Sequence, residues 1–158
     1  MEADAADRLA IAPENPDQPE VRALVEELNR YLLSLYRPED CYHLSIEELS
    51  QPNVRFFVAR RGGVAVGCGA LRRLDERTGE VKRMYTSPAA RGRGVGRGIL
   101  HAVEREARAL GCRTLVLETG PAQPEALALY RSEGFSERPA YFDYPADGVS
   151  IFMEKRLA

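Results

Sequence analysis

The chain has 158 residues, 44% of them hydrophobic and 29% charged, with a formal net charge of −2 at pH 7. That length suits a single domain over 1–158 with its own core, and the acidic balance argues against a nucleic-acid partner, which calls for a basic footprint. Nothing in it approaches the roughly 20 apolar residues of a membrane span, and "MEADAADRLA" lacks the basic-then-apolar order of a signal peptide, so the expected compartment is cytoplasmic.

In chain order, residues 8 to 12 read as a short strand. Val21, Leu24, Val25, Leu28, Leu32 and Leu35 recur at helical spacing, which predicts an amphipathic helix over roughly 18 to 36, stopped by Pro38. "CYHLSIEELSQPN" is a loop-helix-loop in which Ser45 and Glu48 form a capping box. The period then changes. "VRFFVAR", the Gly62-Gly63 turn and "VAVGCGALRRL" make a hairpin; a turn at Thr78-Gly79 leads into "EVKRMYT", a third strand.

"RGRGVGRG" follows, at 91 to 98, and runs into a helix with Ile99, Leu100, Val103, Ala107 and Leu110 on one face and Gly111 at its end. "TLVLET" is an apolar strand suited to burial on both faces. A short helix holds Ala126, Leu127, Leu129 and Tyr130 and ends at Gly134. "YFDY" and "VSIFMEKRL" read as closing strands. The expected fold is therefore α/β (α+β): one mixed, twisted central sheet of about six to seven strands flanked by helices.

The three cysteines, Cys41, Cys68 and Cys112, are too few and scattered for a disulfide framework. No Cys or His pair has metal-ligand spacing, so no metal is expected. Nothing pairs a cysteine with a histidine, which argues against a thiol nucleophile.

The glycine loop carries the functional signal. It sits between a strand and a helix N-terminus, where unpaired N–H groups and the helix dipole favour an anion. Arg91, Arg93 and Arg97 add positive charge. Three ligand readings compete with a bare structural turn. An Arg-Gly RNA tract is usually longer and repetitive. A dinucleotide fingerprint fails in both registers, because its third glycine falls on Arg97 or Ile99. A P-loop fails for want of Gly-Lys-Ser/Thr. A backbone nest for some other phosphate ligand remains, and four glycines within seven positions exceed what a turn needs.

"RGRGVG" resembles the R/Q-x-x-G-x-G/A loop of the GNAT superfamily of N-acetyltransferases. "EVKRMYTSP" resembles the strand before that loop, "TLVLET" the strand after its helix, and "QPEALALYRSEGF" the N-x-x-A-x-x-L-Y-x-x-x-G-F segment. The likeness covers roughly 54 to 135. It implies acetyl-CoA as cosubstrate, with its pantetheine arm along Met84, Tyr85 and Thr86 in a gap between splayed strands. Its pyrophosphate would lie on Arg91, Gly92, Arg93, Gly94, Val95, Gly96 and Arg97. Gln123 stands where the family often has a cofactor-contacting Asn.

The resemblance also implies Tyr130 as general acid, and Glu118 or Glu80 as general base for the amine. Tyr36, His43, Tyr141 and Tyr144 are the polar-aromatic candidates for acceptor contacts. The implied activity is direct acetyl transfer to a primary amine of a small molecule, amino acid or peptide N-terminus. A non-catalytic acyl-CoA sensor of the same fold is the alternative. A homodimer through the closing strands stays open.

Overall fold

Alternation along the central strands decides which helix covers which face of the sheet. In the computed structural model, which describes residues 8–146 and 148–157, the strands are β1 (Leu9–Pro13), β2 (Val54–Arg61), β3 (Val64–Arg73), β4 (Thr78–Thr86), β5 (Thr114–Thr119), β6 (Ser136–Arg138) and β7 (Ile151–Arg156). They form one seven-stranded sheet in the order β1-β2-β3-β4-β5-β7-β6, antiparallel except where β4 meets β5. On β2, Phe56 and Val58 face helix α1 (Pro19–Leu35), whereas Phe57 and Ala59 face helix α3 (Val95–Ala109). The first face is filled by Val21, Leu24, Val25 and Leu28. The second is filled by Val95, Ile99, Leu100, Val103 and Ala107, joined by Leu127 and Tyr130 of helix α4 (Pro124–Ser132). Each fully buried aliphatic side chain contributes about 1.5–3 kcal/mol.

The capping box forms as expected on the short helix α2 (Ile46–Leu49): the Glu48 N–H donates to Ser45 Oγ and the Ser45 N–H to Glu48 Oε1, both at 3.2 Å. Three sequence expectations are corrected. The turn before β4 lies at Asp75–Arg77, not at Thr78-Gly79. Asp75 Oδ1 accepts the N–H groups of Arg77 and Thr78 at 2.8 Å, an Asx-type turn, and Gly79 is a strand residue opposite Arg73 and Leu115. "YFDY" is a loop, because its tyrosine hydroxyls turn inward to a buried carboxylate; the additional strand is β6 instead. Leu110 is 40% exposed at the end of α3, off the apolar face, which begins earlier, at Val95.

The functional feature is a fork. β4 pairs with β5 only from Thr78↔Thr114 to Val81↔Leu117, after which β5 stays with β7 alone. A bulge causes the divergence. Cys68 pairs with Tyr85 and Ala70 with Lys82, so Arg83 and Met84 together oppose Gly69. Arg83 sits at φ 56, a left-handed conformation rare for a side-chain-bearing residue. The splayed strands anticipated from the sequence are therefore present, and the edge of β4 beyond Val81 is unpaired on its β5 side.

Candidate active site

Two cavities open at the fork. The wider, about 600 Å³, runs from the free edge of β4 past the start of α3 to α4. Met84, Tyr85, Thr86, Arg91, Gly92, Gly94, Val95, Gly96, Arg97 and Gln123 all line it. Arg93 is exposed and outside its wall.

Gly92 and Gly94 have φ values of 78° and 79°, a conformation that costs an ordinary L-residue about 1–2 kcal/mol. Gly94 caps α3 without any side-chain hydrogen bond, and the first-turn N–H groups of the helix have no intrahelical acceptor. Arg91 is held in place: its Nε donates to the Thr86 carbonyl at 3.1 Å, and its guanidinium lies 5.5 Å over the Tyr31 ring. Arg97 is tied to α4 through Glu133 and Ser132, so Glu133 offsets part of its charge. Backbone donors, left-handed glycines and a fixed guanidinium suit a diphosphate. The unpaired strand edge suits an amide-bearing arm.

The inner cavity, about 90 Å³, lies between α1, residues 40–43 and the diverging strands. Tyr36, His43 and Glu118 line it, together with Asp40, Lys82 and Arg83. Leu28, Met84, Gln123 and Tyr130 belong to the walls of both cavities, so the two spaces meet there.

Tyr130 is 6% exposed and packs edge-on to Phe135, with ring centroids 5.9 Å apart. Burial, then the Glu118 charge, pushes its phenol above the ordinary value near 10, and it stays protonated at neutral pH. Glu118 is half-buried, opposite Phe152 on β7. The Tyr36 hydroxyl accepts the Ala122 N–H at 3.1 Å and donates to Gln123 Oε1 at 3.2 Å, joining an acceptor candidate to a cofactor candidate. Glycine is required at 120 because a Cβ there would overlap that hydroxyl. Burial, with Arg83 and Lys82 nearby, lowers the pKa of His43 and favours its neutral form.

Glu80, Tyr141 and Tyr144 line neither cavity. Glu80 is 0% exposed, and its Oε2 accepts the hydroxyls of Tyr141 at 2.5 Å and Tyr144 at 2.9 Å. Lys82 Nζ donates to Tyr144 Oη at 2.8 Å and to the Tyr42 carbonyl at 2.7 Å, and so stands between this cluster and the inner cavity. Tyr141→Phe removes one donor from a fully buried carboxylate. It is expected to cost about 1.5–3 kcal/mol in urea unfolding while leaving the turnover of folded protein unchanged.

Sequence reasoning missed Lys82 and Arg83. The available signal was two adjacent cations in the middle of a strand whose other neighbours are buried. The bulge that turns Arg83 toward α1 has no sequence signature of its own.

A forked sheet beside a glycine-rich helix start, with a buried phenol where two cavities meet, defines an acyl-CoA-dependent acyltransferase architecture. The Acetyltransferase (GNAT) family profile matches residues 21–135, and the chain belongs to that family. It is an enzyme of the N-acetyltransferase class, and the family uses acetyl-CoA. The chain is 48% identical over 151 residues to the "IAA acetyltransferase" of Azospirillum brasilense, covering 94% of this chain and 98% of that one. A Klebsiella pneumoniae structure described as an acyl-CoA N-acyltransferase superposes with a TM-score of 0.81 at 37% identity, covering 95% of this chain and 98% of that one. The PaiA N-acetyltransferase of Thermoplasma acidophilum, crystallised with coenzyme A, shares the fold at 16% identity. Its TM-score is 0.71, with 94% of this chain and 99% of that one covered. Among the described residues no cluster suits a metal ion, and no helix is long and apolar enough to cross a membrane.

Proposed function

We propose that the enzyme moves an acetyl group directly from acetyl-CoA to a primary amine: a small molecule, an amino acid or a peptide N-terminus. Acetyl-CoA, when bound, supplies an acetyl thioester whose carbonyl accepts the amine and whose sulfur leaves. The outer cleft residues named above hold the cosubstrate, with the arm along Met84–Thr86 and the diphosphate at Gly92–Gly96.

The observation that carries this reading is the shared wall. Tyr130 borders both cavities, whereas Glu118 borders only the inner one. An alkylamine has a pKa near 10 and arrives largely protonated, so a base on the acceptor side is needed, and Glu118 fills that role. Tyr130 keeps its proton at the phenol oxygen and gives it to the departing sulfur. A covalent relay is disfavoured. Cys41, which lines the inner cavity, is held in its neutral form by burial and then by Glu118. Free, buried Cys68 and Cys112 support a reducing, cytoplasmic setting.

The test is thiol release from acetyl-CoA against a mixed panel of small amines, amino acids and peptides with free N-termini. Turnover of one class supports the reading and names the acceptor. Acetyl-CoA binding with no turnover across the panel would turn it toward a sensor.

A further inference from the structure

Among the described residues, Lys82 and Arg83 are the buried cations. Half-buried Arg60 and Lys155 meet carboxylates, Glu14 and Glu20 for the first and Glu104 for the second, and buried Lys82 has the two oxygens described above. Arg83 differs. It is 6% exposed, and only its Nη2 is engaged, by Asn29 Oδ1 and, at 3.5 Å, the Val25 carbonyl of α1. Nε and Nη1 are buried, and among the described residues they find no acceptor and the guanidinium no carboxylate. An uncompensated buried cation is costly. The same side chain lines the inner cavity. Burial lowers its pKa to about 10, which leaves it charged at neutral pH.

We infer that Arg83 is the anchor for a carboxylate on the acceptor, so that the preferred substrate is an amino acid or a related amino carboxylate rather than a simple amine. A carboxylate in the inner cavity brings the opposite charge that the guanidinium lacks, and it reaches the shielded Nε and Nη1 once the side chain turns toward it. The bulge that opens the fork also places Arg83 next to Met84, at the junction of the two cavities. An amine tethered to a carboxylate at Arg83 would therefore stay close to the reacting end. His43, neutral and facing the same space, adds no competing charge, while Glu118 remains for the amine. This substrate class deepens the proposed transfer reaction and rests on it for its kinetic arm only.

The test pairs L-amino acids and ω-amino acids with their amides and decarboxylated amines. Two readouts are used: thiol release, and titration calorimetry on the CoA-loaded protein. Wild type is expected to favour the acid of its best pair by about 100-fold in kcat/KM. Arg83→Met should bring that ratio to near one by losing the acid alone, with the KM for acetyl-CoA unchanged, and Arg83→Lys should keep part of the preference. Equal use of acid and amide by wild type overturns the inference and leaves the transfer reading standing. Equal loss on both by Arg83→Met also overturns it, since a merely structural role would act so. If nothing turns over, calorimetry decides. Acids that bind wild type and not Arg83→Met keep the carboxylate site and sink the transfer reading. Acids that do not bind wild type sink the site.

Discussion

Tyr130→Phe is expected to lower kcat by about 10²- to 10⁴-fold, the usual worth of a positioned proton donor, with acetyl-CoA affinity unchanged. The substitution removes one oxygen and keeps the ring, so the edge contact with Phe135 and the shared wall of the two cavities survive. Single-turnover kinetics beside a CoA titration separates the two effects. A variant that turns over at the wild-type rate removes Tyr130 from the chemistry. The same residue gives a stability signature. Its folded-state pKa is raised, as are those of Tyr141 and Tyr144, each chiefly by burial. An unfolded tyrosine ionises near 10, whereas these three keep their protons above it. Their contribution is therefore complete below pH 10 and is lost as the pH rises beyond it. In Tyr130→Phe the stability lost above pH 10 should be smaller than in wild type.

Local patterning made much of the fold legible. The helical spacing of Val21 to Leu35, the strand-type run "VRFFVAR" and the apolar run of 114–119 each report a pattern that packing then uses. Left-handed Gly92 and Gly94 were legible for the same reason, since few other residues tolerate that backbone. What stayed hidden depends on contacts far apart in sequence. Glu80 and Glu118 look alike as strand carboxylates, yet one is sealed under two tyrosines from a loop about 60 residues on, and the other lines a cavity. Tyr141 and Tyr144 read as strand residues because aromatics favour strands; the hydroxyl partner that pulls them into a loop is invisible locally. Arg83 depends on a bulge, which only the register of β3 against β4 reveals.

Those two carboxylates give the second large effect. Glu118→Gln keeps the shape of the side chain but loses its proton affinity. With the amine arriving protonated, kcat/KM for the acceptor should fall by about 10²- to 10³-fold, while the KM for acetyl-CoA holds. The variant should also change Tyr130, because the Glu118 charge is the second cause of its raised pKa. Removing that charge brings the phenol's pKa down toward its unfolded value, so the stability lost above pH 10 should be smaller than in wild type, with its onset still near 10. Glu80→Gln makes the control. Its oxygen loses charge beneath the hydroxyls of Tyr141 and Tyr144, so the expected loss is about 1.5–3 kcal/mol of stability, with turnover of the folded fraction intact. The opposite pattern, with Glu80→Gln inactive and Glu118→Gln fully active, would place the base behind Lys82. An acceptor proton would then have to cross a buried tyrosine-lysine network to reach it. Glu118 needs no such relay, because it lines the inner cavity proposed for the amine.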